Sequence, residues 1–325
     1  MTAGRALGRS AGRGGSHEAP GSGRTPDRVE SADGFRLVAG GGSRRNANDS
    51  CAEVAGRPMS RAYFTAQRLA ELDQRLSDRE RSVLDSLRRL RLASGDQLDR
   101  LHFTDTDSRQ RRRVLAGLVE RSLLARLPRA IGGVRAGSAG YIYALGRAGQ
   151  RLTDGTGPAG GRIERPWTPG LPFLAHSLAV SEVYVRLIEA SRRRYLDVLT
   201  YVTEPRTWRR FIGAGGGRSV LKPDAYLLSA SGDFEDRWFI EVDRATESPA
   251  TLDAKLRTYR QYWRSGLEQP RHRGVFPKVL YLVPNDARLA VVKAAIGRQP
   301  AETEALFAAC RFDQAVERIA QGAAS

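Results

Sequence analysis

The sequence predicts an α+β protein of two domains that follow a disordered basic tail. Its 325 residues are enough for two domains. Residues 1–60 are dominated by Gly, Ser, Arg and Ala, and such a segment cannot bury enough apolar surface to offset its ordering entropy. Residues 154–172 are rich in Gly, Pro and Thr, so we interpret them as a linker. The predicted domains are therefore 61–153 and 173–325.

The composition favours a polyanionic partner. The formal net charge is +17 and the pI is about 10.7, a balance typical of proteins that bind nucleic acid. We find no apolar run long enough to span a bilayer, and the N-terminus lacks the apolar core of a signal peptide. Cys51 and Cys310 have no metal-ligand spacing. We therefore expect a cytoplasmic protein that binds double-stranded DNA, without a membrane partner or structural zinc.

Residues 61–153 are predicted to form helices followed by two strands joined by a basic loop. Ser77 and Glu80 form a capping box at the start of a helix whose apolar residues recur at helical spacing. Two further helices follow. Two short apolar runs, 123–127 and 141–145, then predict strands joined by a loop. This order of elements resembles a winged helix.

The resemblance to a winged helix implies a DNA interface on the third helix, whose N-terminal residues enter the major groove in such folds. That helix begins with four arginines, and the loop between the strands carries two more. The residues expected to contact phosphates or base edges are Arg109, Arg111, Arg112 and Arg113 on the helix and Arg129 and Arg135 in the loop. The alternatives are a solvated arginine face on an ordinary helix, or a domain that binds protein.

Residues 173–325 begin with a long, largely apolar helix whose polar exceptions are His176 and Glu182. An arginine-rich polar stretch, 206–218, ends in a glycine loop that we expect to be flexible. The C-terminal tail is expected to pack as a last helix or an irregular cap. The remaining predicted elements are strands at 196–202, 222–228 and 238–244, a helix at 249–263 and a strand at 278–283.

Three carboxylates occur in the second and third of these strands. Asp224 lies near the start of the strand at 222–228. Glu241 and Asp243 are two residues apart on the strand at 238–244 and therefore point to the same face. A carboxylate at the end of a buried strand is costly unless it is paired, hydrogen-bonded or bound to a metal. Oxygen ligands of this kind suit Mg²⁺ or Mn²⁺. The alternative is that these carboxylates belong to a turn and a solvated strand end.

The order helix, strand, strand, strand, helix, strand matches the core of the PD-(D/E)XK nuclease-like fold. Pro223-Asp224 resembles the PD of that family, and Glu241-Val242-Asp243 resembles its (D/E)-x-K, with Asp243 in place of the lysine. The resemblance implies a mixed α/β sheet domain that hydrolyses phosphodiesters with Mg²⁺ or Mn²⁺. It also implies that Asp224 and Glu241 hold the metal ion.

The same resemblance assigns three further residues to the site. Many members carry an extra acidic ligand on the first helix, the position of Glu182. Where the lysine is displaced, the cation comes from the following helix, and Lys255 with Tyr259 one turn later is placed for that role. Asp243 either strengthens metal binding as a third carboxylate or marks a degenerate domain that does not cleave.

A wider resemblance, over residues 77–297, is to the replication-relaxation family of actinobacterial plasmids and integrative elements. Its motifs here are Phe-Leu-x-His-x-Leu-x-Val at 173–180, Lys-Pro-Asp at 222–224, Glu-Val-Asp-Arg-x-Thr-Glu at 241–247 and Lys-Leu-x-x-Tyr at 255–259. The family implies a role in replication, relaxation or mobilisation, with partners among replication or conjugation proteins.

Two functions remain open from the sequence. One is a DNA-binding protein with a metal-dependent nuclease domain. The other is a non-catalytic DNA-binding accessory protein or transcriptional regulator that uses the same fold as a scaffold. A tyrosine relaxase is disfavoured, because Tyr259 and Tyr262 have no histidine cluster nearby and the chain holds only four scattered histidines.

Overall fold

The described residues form an α+β structure that contains a three-stranded sheet, a five-stranded sheet and a separate two-stranded hairpin. The chain divides into two units, Met1–Ser60 and Arg61–Ser325. The predicted tail, most of the predicted linker, and Arg129 and Arg135 lie outside the described residues. The computed structural model describes residues 64–127, 141–153 and 170–322.

The N-terminal part of the described chain is mainly helical. Its helices begin at side-chain caps: Ser77 forms the predicted capping box with Glu80, and Asp107 accepts two backbone N–H bonds at the start of the third helix of the predicted domain. The short strands form an antiparallel sheet in the order β1-β3-β2. In chain order the elements are α1 (Ala66–Gln74), α2 (Asp78–Leu90), β1 (Ala93–Ser94), α3 (Gly95–His102), α4 (Ser108–Glu120), β2 (Leu124–Leu127), β3 (Ile142–Leu145) and α5 (Arg147–Thr153).

The C-terminal part is built around a mixed sheet. A long helix opens it, and 3₁₀ turns occur at Gln269–His272 and Phe312–Gln314. In chain order its elements are α6 (Leu171–Arg192), β4 (Asp197–Thr203), β5 (Arg209–Ile212), β6 (Arg218–Leu221), β7 (Ala225–Ser231), β8 (Phe234–Val242), α7 (Pro249–Arg264), β9 (Lys278–Val283), α8 (Asp286–Gly297), α9 (Ala301–Glu304), β10 (Phe307–Arg311) and α10 (Ala315–Ala320).

The five-stranded sheet has the order β10-β9-β8-β7-β4. β8, β9 and β10 run parallel, whereas β4, β7 and β8 are joined antiparallel. Side chains alternate across this sheet, so Trp238 and Ile240 of β8 pack with α6 and α10, while Phe239 packs with Tyr259 and Tyr262 of α7. The sheet is therefore covered by helices on both faces.

The C-terminal part contains strands that the sequence did not predict. The arginine-rich stretch forms β5 and β6, which pair as an antiparallel hairpin around the predicted glycine loop. The tail does end in a helix, α10, but before it β10 adds an edge strand parallel to β9. The sequence Phe-Ala-Ala-Cys-Arg of β10 contains no β-branched residue, so its strand state depends on pairing with β9 rather than on intrinsic propensity.

Helix α6 packs against both the N-terminal helices and the five-stranded sheet. Leu90 of α2 and Leu101 of α3 share a core cluster with Val183 and Leu187 of α6. Polar bonds join the same elements, since the Gln97 side chain donates to the Leu178 carbonyl at 2.9 Å. The N-terminal helices are thus packed directly on the first helix of the sheet domain.

By length and composition α6 could also cross a membrane, with a mean hydropathy of 1.3 in its most apolar window. The expectation that no such run exists is therefore wrong. Eight of its residues are buried, among them Val180 and Val185, and they pack against the sheet. Because the core helix of a folded domain has the same length and composition, this single helix is weak evidence for a membrane span.

Candidate active site at the ends of β7 and β8

Asp224 and Glu241 come together at one end of the five-stranded sheet. Ala225 pairs with Ile240 in the antiparallel register, so the next position places Asp224 opposite Glu241. Both carboxylates are buried, with Asp224 7% exposed and Glu241 2% exposed. Two buried carboxylates opposite one another repel unless cations or hydrogen-bond donors compensate them.

Helix α7 supplies the donors for Glu241. Lys255 Nζ lies 3.1 Å from Glu241 Oε2, and the Tyr259 hydroxyl donates to Glu241 Oε1 at 2.5 Å. Lys255 and Tyr259 are four residues apart and so share one face of the helix. Burial raises the pKa of the Glu241 carboxyl to about 7, and the charge of Asp224 adds to this rise although Lys255 opposes it.

Lys255 bridges two carboxylates. Its ammonium group also contacts Glu247 Oε1 at 2.7 Å. Burial works against the charged form of this lysine, but the surrounding carboxylates of Glu241, Asp224 and Glu247 outweigh burial and raise its pKa above the usual value. Lys255 is therefore a fixed cation at the centre of the cluster.

Asp224 is held from two directions. Its Oδ2 accepts the backbone N–H of Val242 at 2.7 Å, and its Oδ1 lies 3.0 Å from His176 Nε2 of α6. The hydrogen bond with Asp224 raises the pKa of His176. A small cleft of about 20 Å³ opens beside this pair and is also lined by Arg91 and Glu204. His176, which the sequence marked only as a polar exception in an apolar helix, thus contacts the predicted site.

Asp243 does not join the cluster. Its Oδ2 is paired with the Arg288 guanidinium of α8, 2.8 Å from Nε and 2.7 Å from Nη2, and its Oδ1 accepts the Ala245 N–H at 2.6 Å. The same guanidinium donates to the Glu247 carbonyl at 3.0 Å. Asp243 therefore fixes the loop after β8 to α8, a role that sequence spacing alone does not reveal.

Glu182 also lies away from the cluster. Six residues separate it from His176, which is about 240° around a helix and about 9 Å along it. Its carboxylate is paired with Arg100 of α3 at 2.9 Å and with Arg186 at 3.1 Å. The predicted acidic ligand on the first helix thus joins α6 to α3 instead.

Two buried polar atoms beside the carboxylates of the cluster have no hydrogen-bond partner among the described residues. They are Tyr281 Oη and Glu247 Oε2. Tyr281 is 1% exposed and pairs with Glu241 across the parallel strands. Burial and the charges of Glu241 and Glu247 raise its pKa well above the usual value, so its hydroxyl is a neutral donor. Sequence reasoning missed both residues, although Glu247 ends the distinctive Glu-Val-Asp-Arg-x-Thr-Glu stretch.

These features fit a hydrated divalent cation. Among the described residues no group of three Asp, Glu, His or Cys side chains is arranged to hold a metal ion. Mg²⁺, however, commonly takes only one or two carboxylates and keeps several waters. Asp224 and Glu241 meet that requirement, and the orphaned atoms of Tyr281 and Glu247 can bond to metal-bound waters.

The described arginines of the predicted DNA interface differ in their environment. Arg109, Arg112 and Arg113 are exposed on the first turns of α4. Arg111 is partly buried and forms an ion pair with Asp99 of α3. Three of the four are thus exposed to solvent, although Arg112 also donates to Ser108, whereas Arg111 joins two helices of the fold.

The fold and this site define an α+β protein with a buried carboxylate–lysine cluster on a mixed sheet. Residues 84–279 match the model of the replication-relaxation family. This match covers more than half of the chain, and the protein belongs to that family. No curated protein and no solved structure matches the chain.

Proposed function

We propose that this protein is a DNA-binding protein of plasmid or mobile-element replication, relaxation or mobilisation that cleaves phosphodiester bonds with Mg²⁺ or Mn²⁺. The observation that carries the proposal is the buried Glu241 carboxylate, opposite Asp224 and bonded to Lys255. This combination supports a PD-(D/E)XK-like site whose lysine is supplied by α7. The family match supports the replication theme.

Each residue of the cluster has a distinct task in this proposal. Asp224 and Glu241 would hold the metal ion, which when bound would supply a water molecule of lowered pKa and a Lewis acid for the phosphoryl oxygen. Lys255 neutralises the charge that develops on the phosphoryl group. Tyr259 fixes the Glu241 carboxylate, and His176 fixes that of Asp224, so that neither must reorganise during the reaction.

The N-terminal part supports DNA binding. Its order of three helices and a β-hairpin, with the short β1 completing the sheet, resembles a winged helix and supports α4 as the proposed recognition helix. The exposed Arg109, Arg112 and Arg113 are suited to phosphates and base edges. We place the protein in the cytoplasm with double-stranded DNA as its partner, together with replication or conjugation proteins.

A second candidate is a non-catalytic accessory protein. It is favoured by the finding that all four oxygens of Asp224 and Glu241 already accept bonds from protein groups. Lys255 and Tyr259 could then be structural partners of a degenerate site. The two candidates differ in whether the cluster binds metal and cleaves.

The test is incubation of the purified protein with supercoiled plasmid in Mg²⁺ or Mn²⁺, with chelator as a control. Glu241→Gln keeps the side-chain shape but removes the charge, so we expect nicking to fall at least about 100-fold while DNA retention on a gel stays unchanged. Glu302→Gln, at an exposed position, is the matched control and should cleave normally. Retention of DNA without cleavage by the wild type would overturn the catalytic proposal in favour of the accessory protein.

A further inference from the structure

The segment between β4 and β7 is strongly basic. Residues 205–223 contain no Asp or Glu and include the β5–β6 hairpin, which we call the basic hairpin. Its cationic residues are Arg206, Arg209, Arg210, Arg218 and Lys222. The chain leaves this segment directly into Asp224, so the base of the hairpin adjoins the candidate active site.

The hairpin has an inner and an outer face. Phe211 and Leu221 are buried in the core cluster under α7. The register pairs Arg210 with Val220 and Ile212 with Arg218, and all four of these side chains are exposed. Ile212 is 62% exposed. Arg210 and Arg218 form no ion pair with any described residue, so the outer face offers two uncompensated guanidinium groups beside apolar contacts.

The base of the hairpin is held rigidly. Arg209 is bonded to the fully buried Glu268 through Nε at 2.8 Å and Nη2 at 3.1 Å. Glu268 also accepts the Tyr262 hydroxyl of α7 and lies 2.9 Å from His272 Nε2. The Thr207 hydroxyl donates to the Pro223 carbonyl at 2.5 Å. These bonds fix the hairpin to α7 and to the residue before Asp224.

The tip of the hairpin is richer in glycine than its fold requires. Gly216 has φ +75°, a conformation that favours glycine. Gly215 and Gly217 have no such φ, and a Cβ at either position would meet no atom within 4 Å. Packing therefore does not demand glycine there, whereas close approach of another backbone would.

We propose that the basic hairpin is a second DNA contact, which binds the sugar–phosphate backbone of the strand presented to the Asp224–Glu241 cluster. Arg210 and Arg218 bind phosphates, Ile212 and Val220 contact sugars, and the glycine tip allows the backbone to approach. A polyanion fits because the segment carries only positive charge. This inference rests on the proposed function, since it takes duplex DNA as the substrate.

The first test compares the salt dependence of duplex binding by fluorescence anisotropy. Log K falls as log salt rises, and each lost phosphate contact reduces the magnitude of this slope by about 0.9. Arg210→Ala with Arg218→Ala should therefore reduce the magnitude of the slope by about 1.8. The control, Arg193→Ala with Arg194→Ala, removes the same charge from exposed residues before β4. These residues precede the start of β4, whereas the hairpin follows its end, about 20 Å or more along the strand. The control should leave the slope unchanged.

A second test places a photo-crosslinker at Ala214 of the tip, through Ala214→Cys in a Cys51→Ser background, since Cys310 is buried. Crosslinking to duplex DNA is expected from this position and not from Arg193→Cys. Wild-type binding with an unchanged slope in the hairpin variant and no crosslink would overturn the hairpin contact alone. A wild type that retains no DNA at any salt concentration would overturn the proposed function as well. Crosslinking to an acidic protein and not to DNA would mean that the hairpin binds that protein rather than DNA.

Discussion

At the scale of single residues, the buried pair Asp243–Arg288 is the most consequential for stability. The Asp243 side chain is 2% exposed and that of Arg288 is 10% exposed. Removing one partner leaves the other charge buried and uncompensated. We therefore expect Arg288→Ala to lower the free energy of unfolding by about 3–5 kcal/mol in urea titrations.

The matched control for this change is Arg298→Ala. Arg298 pairs with Asp253 at 3.1 Å, but its side chain is 56% exposed. Exposed pairs contribute about 1 kcal/mol or less. An equal loss of stability in both variants would show that burial of the Asp243 pair has no special energetic role.

Arg91 is strained at the end of α2. It has φ 68° and ψ −46°, a region that glycine tolerates and residues with a Cβ do not. Its guanidinium lies 5.7 Å from the Phe173 ring. Arg91→Gly should raise the free energy of unfolding by about 1 kcal/mol relative to Arg91→Ala, because both variants lose the ring contact and only Gly relieves the backbone. Thermal unfolding of the two variants measures the difference, and identical midpoints would contradict it.

Sequence reasoning predicted the position of individual carboxylates better than their partners. Strand alternation and the resemblance were enough to select Asp224, Glu241 and Lys255, which the structure brings together. Glu182 also pairs with Arg186 at local i,i+4 spacing, but Arg288 and Arg100, which join Asp243 and Glu182 to the rest of the fold, lie on other elements, α8 and α3. No local spacing encodes such pairings, so the same acidic residue type serves a cluster in one place and an ion pair in another.

At the scale of elements, α4 provides the clearest test of DNA contact. Arg112→Ala with Arg113→Ala removes two exposed charges from its first turns. We expect the magnitude of the negative slope of log K against log salt to decrease by about 1.8 in anisotropy titrations. Arg111→Ala should change the slope less, because Arg111 is already paired with Asp99. A slope unaffected by the double change would remove α4 from the interface.

Elements with strong periodicity were predicted and those with weak periodicity were not. The antiparallel β7–β8 pair and α7 follow from apolar runs with a clear turn and cap. β5 and β6 are only four residues each and carry exposed arginines, so their sequence is indistinguishable from a polar loop. Their strand state depends on the inward Phe211 and Leu221, which only the tertiary core explains.

At the scale of the whole molecule, α6 joins the helical part to the sheet part. Leu101 of α3 is buried in the cluster that contains Val183 and Trp238. We expect the two parts to unfold together, so Leu101→Ala should destabilise both by about 2–5 kcal/mol. Leu199→Ala, at a residue 49% exposed, should change stability by about 0.5 kcal/mol or less.

Two spectroscopic probes can separate joint from independent unfolding. Three of the four tryptophans, Trp208, Trp238 and Trp263, lie in the sheet part, and the fourth lies in the predicted linker outside the described residues. Tryptophan fluorescence therefore reports mainly on the sheet part, whereas far-UV circular dichroism reports on helices of both. Leu101→Ala should shift both denaturation midpoints equally. A shift in circular dichroism alone would mean that the helical part unfolds by itself.

Because α6 packs with both the helical part and the sheet part, it also limits where this chain can be cut to make chimeric proteins. A crossover placed in the predicted linker before Gly170 would cut between the helical part and the sheet part. A chimera made there would leave Leu90 and Leu101 without their apolar neighbours and Arg100 without Glu182 and Glu189. Grafting the helical part onto another protein therefore requires α6, or a helix with the same pattern, to travel with it. Under the proposed function, new binding specificities are more readily obtained by exchanging the surface of α4 than by exchanging whole segments.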